Sequence, residues 1–160
     1  MRAAIAALVL SSVLGGCGFR LAGSEHLPAV LAKPYLSVKD PYTDFSREFE
    51  RELKSSGALL QIGRQDATAT IEVTKDFVEQ RTLAVSARNI PTDYELRYTV
   101  TFEVKGPDAQ ILPPQTLTLS RDYSFEENEL LAKEHEADIL RTSMARDLAT
   151  MAMRILRRVK

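Results

Sequence analysis

The feature that most constrains the fold of this chain is a strict alternation of apolar and polar residues between positions 94 and 104. The apolar side chains fall on every even position, at Tyr94, Leu96, Tyr98, Val100, Phe102 and Val104. Because successive side chains of a strand point to opposite faces, the alternation predicts a strand with one buried face and one polar face. Such a strand belongs to a sheet that is covered by an apolar layer on one side only.

Shorter stretches predict the rest of the sheet. Residues 35–39 favour a short strand, and residues 67–74 alternate with the odd-numbered side chains inward, with a further extended piece at residues 83–85. Breaks are expected at residues 106–108 and at 113–114, where Gly and Pro cluster. The last strand follows them, and four of its residues are expected to face inward: Leu117, Leu119, Tyr123 and Phe125.

The first helix is predicted between Asp40 and Gly57. Asp40 can cap the free N–H groups of a helix start, and Pro41 fits the first helical position because it has no N–H to lose. Gly57 predicts the end, since glycine readily takes the left-handed conformation that closes helices. Four residues are expected to form one apolar stripe along the helix: Tyr42, Phe45, Phe49 and Leu53.

A longer stretch with helical period runs from Asn128 to the C-terminus. Its apolar residues recur at intervals of three or four, at Ala137, Leu140, Met144, Leu148, Met151 and Ile155. Acidic residues crowd its start and basic residues its end, as the helix dipole favours. The order of elements is therefore β-α-β-β-β-α. It predicts a two-layer α+β fold, in which two amphipathic helices pack on one face of a mostly antiparallel sheet.

The N-terminus has the layout of a bacterial lipoprotein signal. Met1-Arg2 provides a positive start, and residues 3–14 form an apolar run of 12 residues, whereas a membrane-spanning helix needs about 20. The run ends in Leu14-Gly15-Gly16-Cys17, which resembles the lipobox in which the Cys thiol is acylated and the chain is cut before it. We therefore predict a signal peptide at residues 1–16 and a lipid on Cys17.

The use of cysteine supports that prediction. Cys17 is the one Cys of the chain, and a single exported thiol would otherwise be free to react or to bridge two molecules. It is followed by Gly18 rather than by the Asp that retains lipoproteins in the inner membrane, so we expect a location on the periplasmic side of the outer membrane. Residues 17–34, which contain four Gly or Pro residues, are predicted to be a tether, and residues 35–160 a single domain.

Charge and motifs argue against several classes of function. Once Arg2 is removed with the signal, the net charge is −2, so the chain has no general attraction to nucleic acids. The two His residues lack the spacing of a metal site, no glycine-rich phosphate loop is present, and Cys17 is taken by the anchor. Glu134-His135-Glu136 is best explained as a solvated charge run, because adjacent helical residues point in different directions. We expect no enzyme activity, no metal and no cofactor.

Two basic residues and one polar strand face remain as candidate binding features. Arg88 falls in the turn before the alternating strand, and Lys133 falls in the first turns of the last helix, where its charge opposes the helix dipole. From the pattern alone, ordinary surface charge is the better explanation of both, with Glu129 as a partner for Lys133. The polar face suits either solvent or contact with another β-structure, and it contains Thr99, Thr101, Thr116 and Thr118.

Four short motifs, taken in their order and spacing over residues 17–159, carry a resemblance to a known family. They are Cys17-Gly18-Phe19-Arg20-Leu21, then Leu53 with Gly57-Ala58, then Arg88-Asn89 with Thr92-Asp93-Tyr94, then Arg121-Asp122-Tyr123-Ser124-Phe125 with Leu131-Ala132-Lys133-Glu134. In these the chain resembles the LptE family of lipopolysaccharide-assembly lipoproteins. It departs from the family pattern at Ala22, where Arg is frequent, and at Ile90-Pro91, where Gly is common.

The resemblance implies a partner and a ligand. The implied partner is the outer-membrane β-barrel LptD, inside which family members sit as a plug, and the implied ligand is lipopolysaccharide. Arg88 and Lys133 match the family's basic positions, and their charges suit the phosphates of lipid A. If the strands next to them are antiparallel neighbours, both cations lie at one end of the sheet. The alternative is a lipoprotein pilot or scaffold of another envelope complex, with no lipid ligand.

Overall fold

The computed structural model describes residues 27–124 and 130–159, and it describes side chains for residues 27–124 and 136–159. The regular elements follow the predicted order, with short 3-10 turns at Ala29–Leu31 and Arg64–Asp66. They are β1 (Pro34–Val38), α1 (Asp44–Ser55), β2 (Ala69–Val85), β3 (Pro91–Lys105), β4 (Gln110–Ser124) and α2 (Leu130–Leu156).

The strands form one sheet in the order β1-β2-β3-β4. β1 pairs in parallel with the start of β2, with Pro34 opposite Ala69, and the crossover that a parallel pair needs contains α1. The other two pairs are antiparallel hairpins. Both helices contribute buried residues to one core together with the inward residues of the strands. The predicted two-layer α+β architecture is therefore confirmed.

β2 is longer than the sequence indicated. Residues 67–74 and 83–85 were predicted as separate pieces, but β2 is a single strand of 17 residues. It continues because the long β3 provides an antiparallel partner as far as Val85. A bulge between Val73 and Lys75 shifts the register, so that Val78 packs toward the core after it. The predicted inward residues of the first part are buried: Ala69, Ile71 and Val73.

β4 begins earlier than predicted. Pro113 and Pro114 were expected to interrupt the chain, yet they lie inside the strand. Within the described sheet β4 is an edge strand, where proline is tolerated because its missing N–H need not face a partner. A register shift between Phe102 and Val104 falls opposite the two prolines. The inward residues of β4 are placed as predicted at Leu117, Leu119 and Tyr123, while Phe125 lies outside the described residues.

α1 begins at Asp44 and not at Pro41. The predicted cap, Asp40, accepts instead a hydrogen bond from the N–H of Tyr42 at 2.8 Å, and the helix is capped by Thr43, whose hydroxyl accepts from the N–H of Ser46 at 3.1 Å. Tyr42 is 81% exposed, so its assignment to the apolar stripe was wrong. The predicted end is confirmed by Gly57, which has a φ of +86°.

The core lies between the sheet and the two helices. The ring of Phe49 stacks on Phe45 at 5.1 Å between centroids and tilts against Phe102 at 6.0 Å. On α2 the buried stripe is rotated slightly from the predicted one, because Met151 and Ile155 are only half-buried. The buried residues of α2 are Met144, Ala145, Leu148, Ala149, Ala152, Met153 and Leu156. In the part of the chain that the structure describes, neither helix has the length and hydropathy required to cross a bilayer.

Candidate functional site

Arg88 is exposed in the tight turn that connects β2 to β3. Ser86 holds this turn: its N–H donates to the carbonyl of Ile90 at 2.7 Å, and its own carbonyl accepts from the N–H of Asn89 at 2.9 Å. The Ser86 hydroxyl accepts a further bond from the N–H of Ile90 at 3.3 Å. Asn89 has a φ of +61°, a left-handed conformation that Asn tolerates better than most residues. These bonds define the backbone that carries Arg88.

The pairing of β3 with β4 places the Arg88 turn and the end of β4 at the same end of the sheet. Asp93 near the start of β3 lies opposite Ser124 at the end of β4, so the condition that these strands are antiparallel neighbours is met. α2 begins at Leu130, shortly after Ser124, and Lys133 lies in its first turn. The side chain of Lys133 lies outside the described residues, as does Cys17. A joint site of Arg88 and Lys133, and a lipid on Cys17, stay predictions.

Apolar and aromatic side chains lie near the Arg88 turn. Leu83 and Val85, in the last part of β2, are exposed. The rings of Tyr94 and Tyr123 stack across the β3–β4 pair at 5.4 Å between centroids. Burial raises the pKa of Tyr123, and the nearby phenol of Tyr94 adds to this effect. This end of the sheet thus combines a cation with exposed apolar surface, which suits a ligand that carries both anionic groups and acyl chains.

A polar cluster around Asp76 was missed by the sequence reasoning. The Asp76 carboxylate accepts hydrogen bonds from the hydroxyls of Thr43, of Ser46 at 3.4 Å and of Tyr98 at 2.9 Å. The Tyr98 hydroxyl accepts in turn from the N–H of Phe45 at 3.1 Å. Burial, and then the charge of Asp76, raise the pKa of Tyr98 far above its ordinary value. Tyr98 was the one signal in the sequence that pointed to this cluster, because a tyrosine hydroxyl on the inward face of a strand needs a hydrogen-bond partner.

The threonine face of the sheet is only partly solvated. The hydroxyls of Thr99 and Thr118 lie 3.2 Å apart, and those of Thr101 and Thr116 lie 2.9 Å apart. Thr101 is only 7% exposed, so of the two alternatives exposure to solvent does not hold at this position. Contact of this face with another β-structure stays a prediction. Across residues 27–124 and 130–159, no three His, Cys, Asp or Glu residues are grouped so that they could hold a metal ion.

Comparison with known families shows to which family the chain belongs. Residues 34–159 match the sequence model of the family described as LptE, lipopolysaccharide-assembly, and the match covers most of the chain. The chain belongs to the LptE family. This LptE-family chain is also 28% identical over 147 residues to the LPS-assembly lipoproteins LptE of Yersinia pestis (strain Pestoides F) and Yersinia pseudotuberculosis serotype O:1b (strain IP 31758). The alignments cover 90% of this chain and 70% of each relative.

Solved lipoprotein structures share the fold of this LptE-family chain. The solution structure of lipoprotein B from Nitrosomonas europaea superimposes with a TM-score of 0.69 at 24% identity, covering 88% of both chains. The crystal structure of a minor lipoprotein from Acinetobacter baumannii gives a TM-score of 0.67 at 23% identity, covering 81% of this chain and 93% of that one. At these identities the likeness concerns the fold.

Proposed function

We propose that this chain is an outer-membrane lipoprotein that joins the β-barrel LptD as a plug and binds lipopolysaccharide on its way to the outer leaflet. Family membership supports the role in lipopolysaccharide assembly. The observation that supports the ligand site is the pairing of Asp93 with Ser124, because the Arg88 turn and the end of β4, which precedes Lys133 in the chain, then share one end of the sheet.

Arg88 and Lys133 supply the charges that the ligand requires. Guanidinium and ammonium groups donate charge-assisted hydrogen bonds to phosphate oxygens, and such bonds are about twice as strong as neutral ones. The mature chain has a net charge of −2, so only a local cluster of cations can offset its repulsion of an anionic lipid. Leu83 and Val85 lie exposed near Arg88 and offer apolar surface to acyl chains.

The barrel partner is supported by family membership and by the face of the sheet that no described helix covers. The helices cover one face, and the other presents β-branched polar residues such as Thr99 and Thr118. Such a flat polar surface is suited to lying against another β-structure, such as the inner wall of a barrel. A lipid on Cys17 holds the domain at the periplasmic side of the membrane that contains the barrel. No catalytic residue takes part in this function.

The ligand site is tested by reversing both charges, in Arg88→Asp with Lys133→Asp. Binding of the purified lipoprotein to lipopolysaccharide, measured in detergent, is expected to fall about a hundredfold, since hydrogen bonds to charged groups contribute roughly 1.5–3 kcal/mol each. The circular dichroism spectrum should stay unchanged because Arg88 is exposed on a turn. Copurification with the barrel should persist as well.

The matched control is Lys39→Asp with Lys75→Asp, which changes the net charge equally at two exposed residues away from the Arg88 turn. This variant should bind lipopolysaccharide nearly as well as the original chain. Equal losses in both double variants would show a net-charge effect instead of a site. Unchanged binding in the Arg88/Lys133 variant would return both residues to ordinary surface charge.

The partner is tested by copurification from detergent-solubilised outer membrane. A plug should bring down a large β-barrel protein in stoichiometric amount, together with lipopolysaccharide. A pilot or scaffold of another envelope complex would bring down different proteins and no lipopolysaccharide. That second result would contradict the proposed function even if the anchor at Cys17 were shown.

A further inference from the structure

The end of the sheet opposite to the Arg88 turn carries two strongly exposed apolar side chains. Ile62 is fully exposed and Leu59 is 63% exposed. They lie on the segment between α1 and β2, where the N–H of Leu59 donates to the carbonyl of Ala32 at 2.8 Å and the N–H of Gln61 donates to the carbonyl of Pro34 at 2.9 Å. These bonds fix the segment along the free edge of β1, so its apolar side chains are held toward solvent.

The two helices end near this segment because they run in the same direction. Arg141 of α2 pairs with Asp44 of α1 at 3.0 Å, and further along Arg146 lies 3.9 Å from Glu48. Both helices rise by about 1.5 Å per residue, so the end of α1 at Ser55 is level with the last turn of α2. The chain then passes from α1 directly into the exposed apolar segment.

Basic residues lie on the elements that end or begin at this end of the molecule. Arg154 and Arg158, at the end of α2, are exposed, and neither makes an ion pair with another described residue. Arg64 follows Ile62 in the chain and lies 5.7 Å above the ring of Tyr35. The helix dipole accounts for positive charge at the end of α2 but not for the exposed apolar residues at the same end of the molecule. We call this set the basal surface: Leu59, Ile62, Arg64, Arg154 and Arg158.

The N-terminal part of the domain lies at the same end of the molecule. Leu31 belongs to the buried core, and the carbonyl of Val30 accepts a hydrogen bond from the Thr68 hydroxyl at 2.7 Å. Leu27, the first described residue, lies ten positions after Cys17, and this stretch can span at most about 36 Å. A lipid on Cys17 therefore keeps the basal surface close to the bilayer.

We propose that the basal surface rests on the phospholipid leaflet that holds the lipid of Cys17. Leu59 and Ile62 enter the boundary between headgroups and acyl chains, and Arg154 and Arg158 face the phosphates. Apolar side chains bordered by basic ones are typical of protein surfaces that bind at this boundary. The inference rests on the proposed function only in requiring the anchor at Cys17. It adds a second membrane contact, which orients the domain so that the Arg88 turn points away from this leaflet.

The test uses the lipid-modified protein with one reactive thiol. Cys17 is the one Cys of the chain and is blocked by its lipid, so Ile62→Cys provides a single site for an environment-sensitive fluorophore. The labelled protein is reconstituted in phosphatidylethanolamine vesicles that contain phosphatidylglycerol and nitroxide-labelled phospholipid. We expect a blue-shifted emission that the nitroxide lipid quenches. The matched control is Tyr42→Cys, an exposed position at the opposite end of α1, where we expect no quenching.

Two further variants separate the charges from the apolar contact. Both are made in the labelled Ile62→Cys protein: one adds Leu59→Glu, and the other adds Arg154→Glu together with Arg158→Glu. Each should reduce the quenching toward the level seen in the labelled Tyr42→Cys control. High salt should weaken the contact only where the arginines are intact.

Equal quenching at positions 62 and 42 would overturn the proposal. A blue-shifted emission at position 62 that occurs only in the complex copurified with a β-barrel protein, and not in vesicles, would assign the surface to a protein contact. That result would overturn the proposal too. The mass of the N-terminal peptide reports the lipid on Cys17 independently. A chain without that lipid contradicts the anchor, whereas a lipid-modified chain with equal quenching contradicts only the basal contact.

Discussion

Tyr98 joins the apolar core to the polar cluster at the start of α1. Its ring is buried in the core, while its hydroxyl donates to Asp76 and accepts from the N–H of Phe45. The same carboxylate accepts from Thr43, the residue that caps α1. Because a buried polar group left without a partner costs more than a formed hydrogen bond contributes, each member of this cluster depends on the others.

Tyr98→Phe removes this hydroxyl and keeps the ring. It leaves the carboxylate of Asp76 and the N–H of Phe45 with one partner fewer, so we expect the free energy of unfolding to fall by about 1–3 kcal/mol. Urea unfolding followed by circular dichroism measures the change. Tyr42→Phe is the control, since its side chain is exposed and the change there should be close to zero. Equal stability of the two variants would contradict a role for the cluster.

The raised pKa of Tyr98 also predicts how stability depends on pH. Below the ordinary phenol pKa of about 10, Tyr98 is protonated in both the folded and the unfolded chain, so it adds no dependence. Above pH 10 the unfolded chain releases this proton while the folded chain retains it, and stability therefore falls as pH rises. Unfolding free energies measured across this range should fall less steeply for Tyr98→Phe. Parallel curves would contradict the cause assigned to the shift.

The end of α1 shows how one glycine closes a helix. The N–H of Ala58 donates a hydrogen bond to the carbonyl of Leu53, and the N–H of Gly57 donates one to the carbonyl of Lys54, both at 3.1 Å. This Schellman arrangement needs the left-handed backbone of Gly57. A Cβ at Gly57 would meet no atom within 4 Å, so a substitution there is opposed by backbone conformation and not by crowding.

Gly57→Ala should therefore lower the free energy of unfolding by about 1–2 kcal/mol, the energetic cost of a left-handed conformation for an ordinary residue. Gly57→Asn should cost less, because Asn tolerates this conformation. Denaturant unfolding of the three proteins gives the order. If Ala and Asn were equally destabilising, a steric explanation would replace the conformational one.

Phe49 joins α1 to the sheet through its contact with Phe102. It is fully buried against Phe45 and Phe102, so Phe49→Ala should cost about 3–5 kcal/mol. Thr101→Ala, on the opposite face, should cost about 1 kcal/mol, because Thr101 is buried and bonded to Thr116. Thermal melts that ranked the two variants in the reverse order would contradict the assignment of the sheet faces.

Sustained periodicity predicted the elements well and several of their ends poorly, although Gly57 does end α1. Asp40 and Thr43 are both good caps by residue type, and the choice between them depends on Asp76, which binds the Thr43 hydroxyl from a distant strand. Pro113 and Pro114 signal a break locally, but the edge position of β4 removes the penalty. Contacts distant in sequence decided these boundaries, and no local pattern contains them.

The candidate site was predictable only in part for the same reason. The Arg88 turn and the antiparallel neighbourhood of β3 and β4 follow from alternation and turn signals. The basal surface does not, because Leu59 and Ile62 look like ordinary apolar residues next to a helix end. Their exposure arises from backbone pairing with Ala32 and Pro34, which the sequence alone did not indicate.

At the scale of the whole molecule, the two proposed surfaces lie at opposite ends of the sheet. β2 starts beside the basal surface and ends at the Arg88 turn, and its 17 residues span about 50 Å at the usual rise of a strand. That length is comparable to a bilayer with its headgroups, about 40–45 Å. A domain whose basal surface rests on the anchoring leaflet would therefore place Arg88 far from that leaflet. There Arg88 would lie inside the barrel.

This separation predicts that the anchor and the ligand site work independently. Cys17→Ala should abolish lipid attachment and cleavage before residue 17, because both require the thiol. The midpoint of thermal unfolding should barely change, since every described residue buried in the core or packed against it lies at Leu27 or beyond. Lipopolysaccharide binding in detergent should also be retained, because Arg88 is far from the N-terminal end of the domain. Incorporation of radiolabelled fatty acid into the variant would refute Cys17 as the attachment site. Loss of lipopolysaccharide binding by a well-folded variant would refute the independence of the anchor and the ligand site.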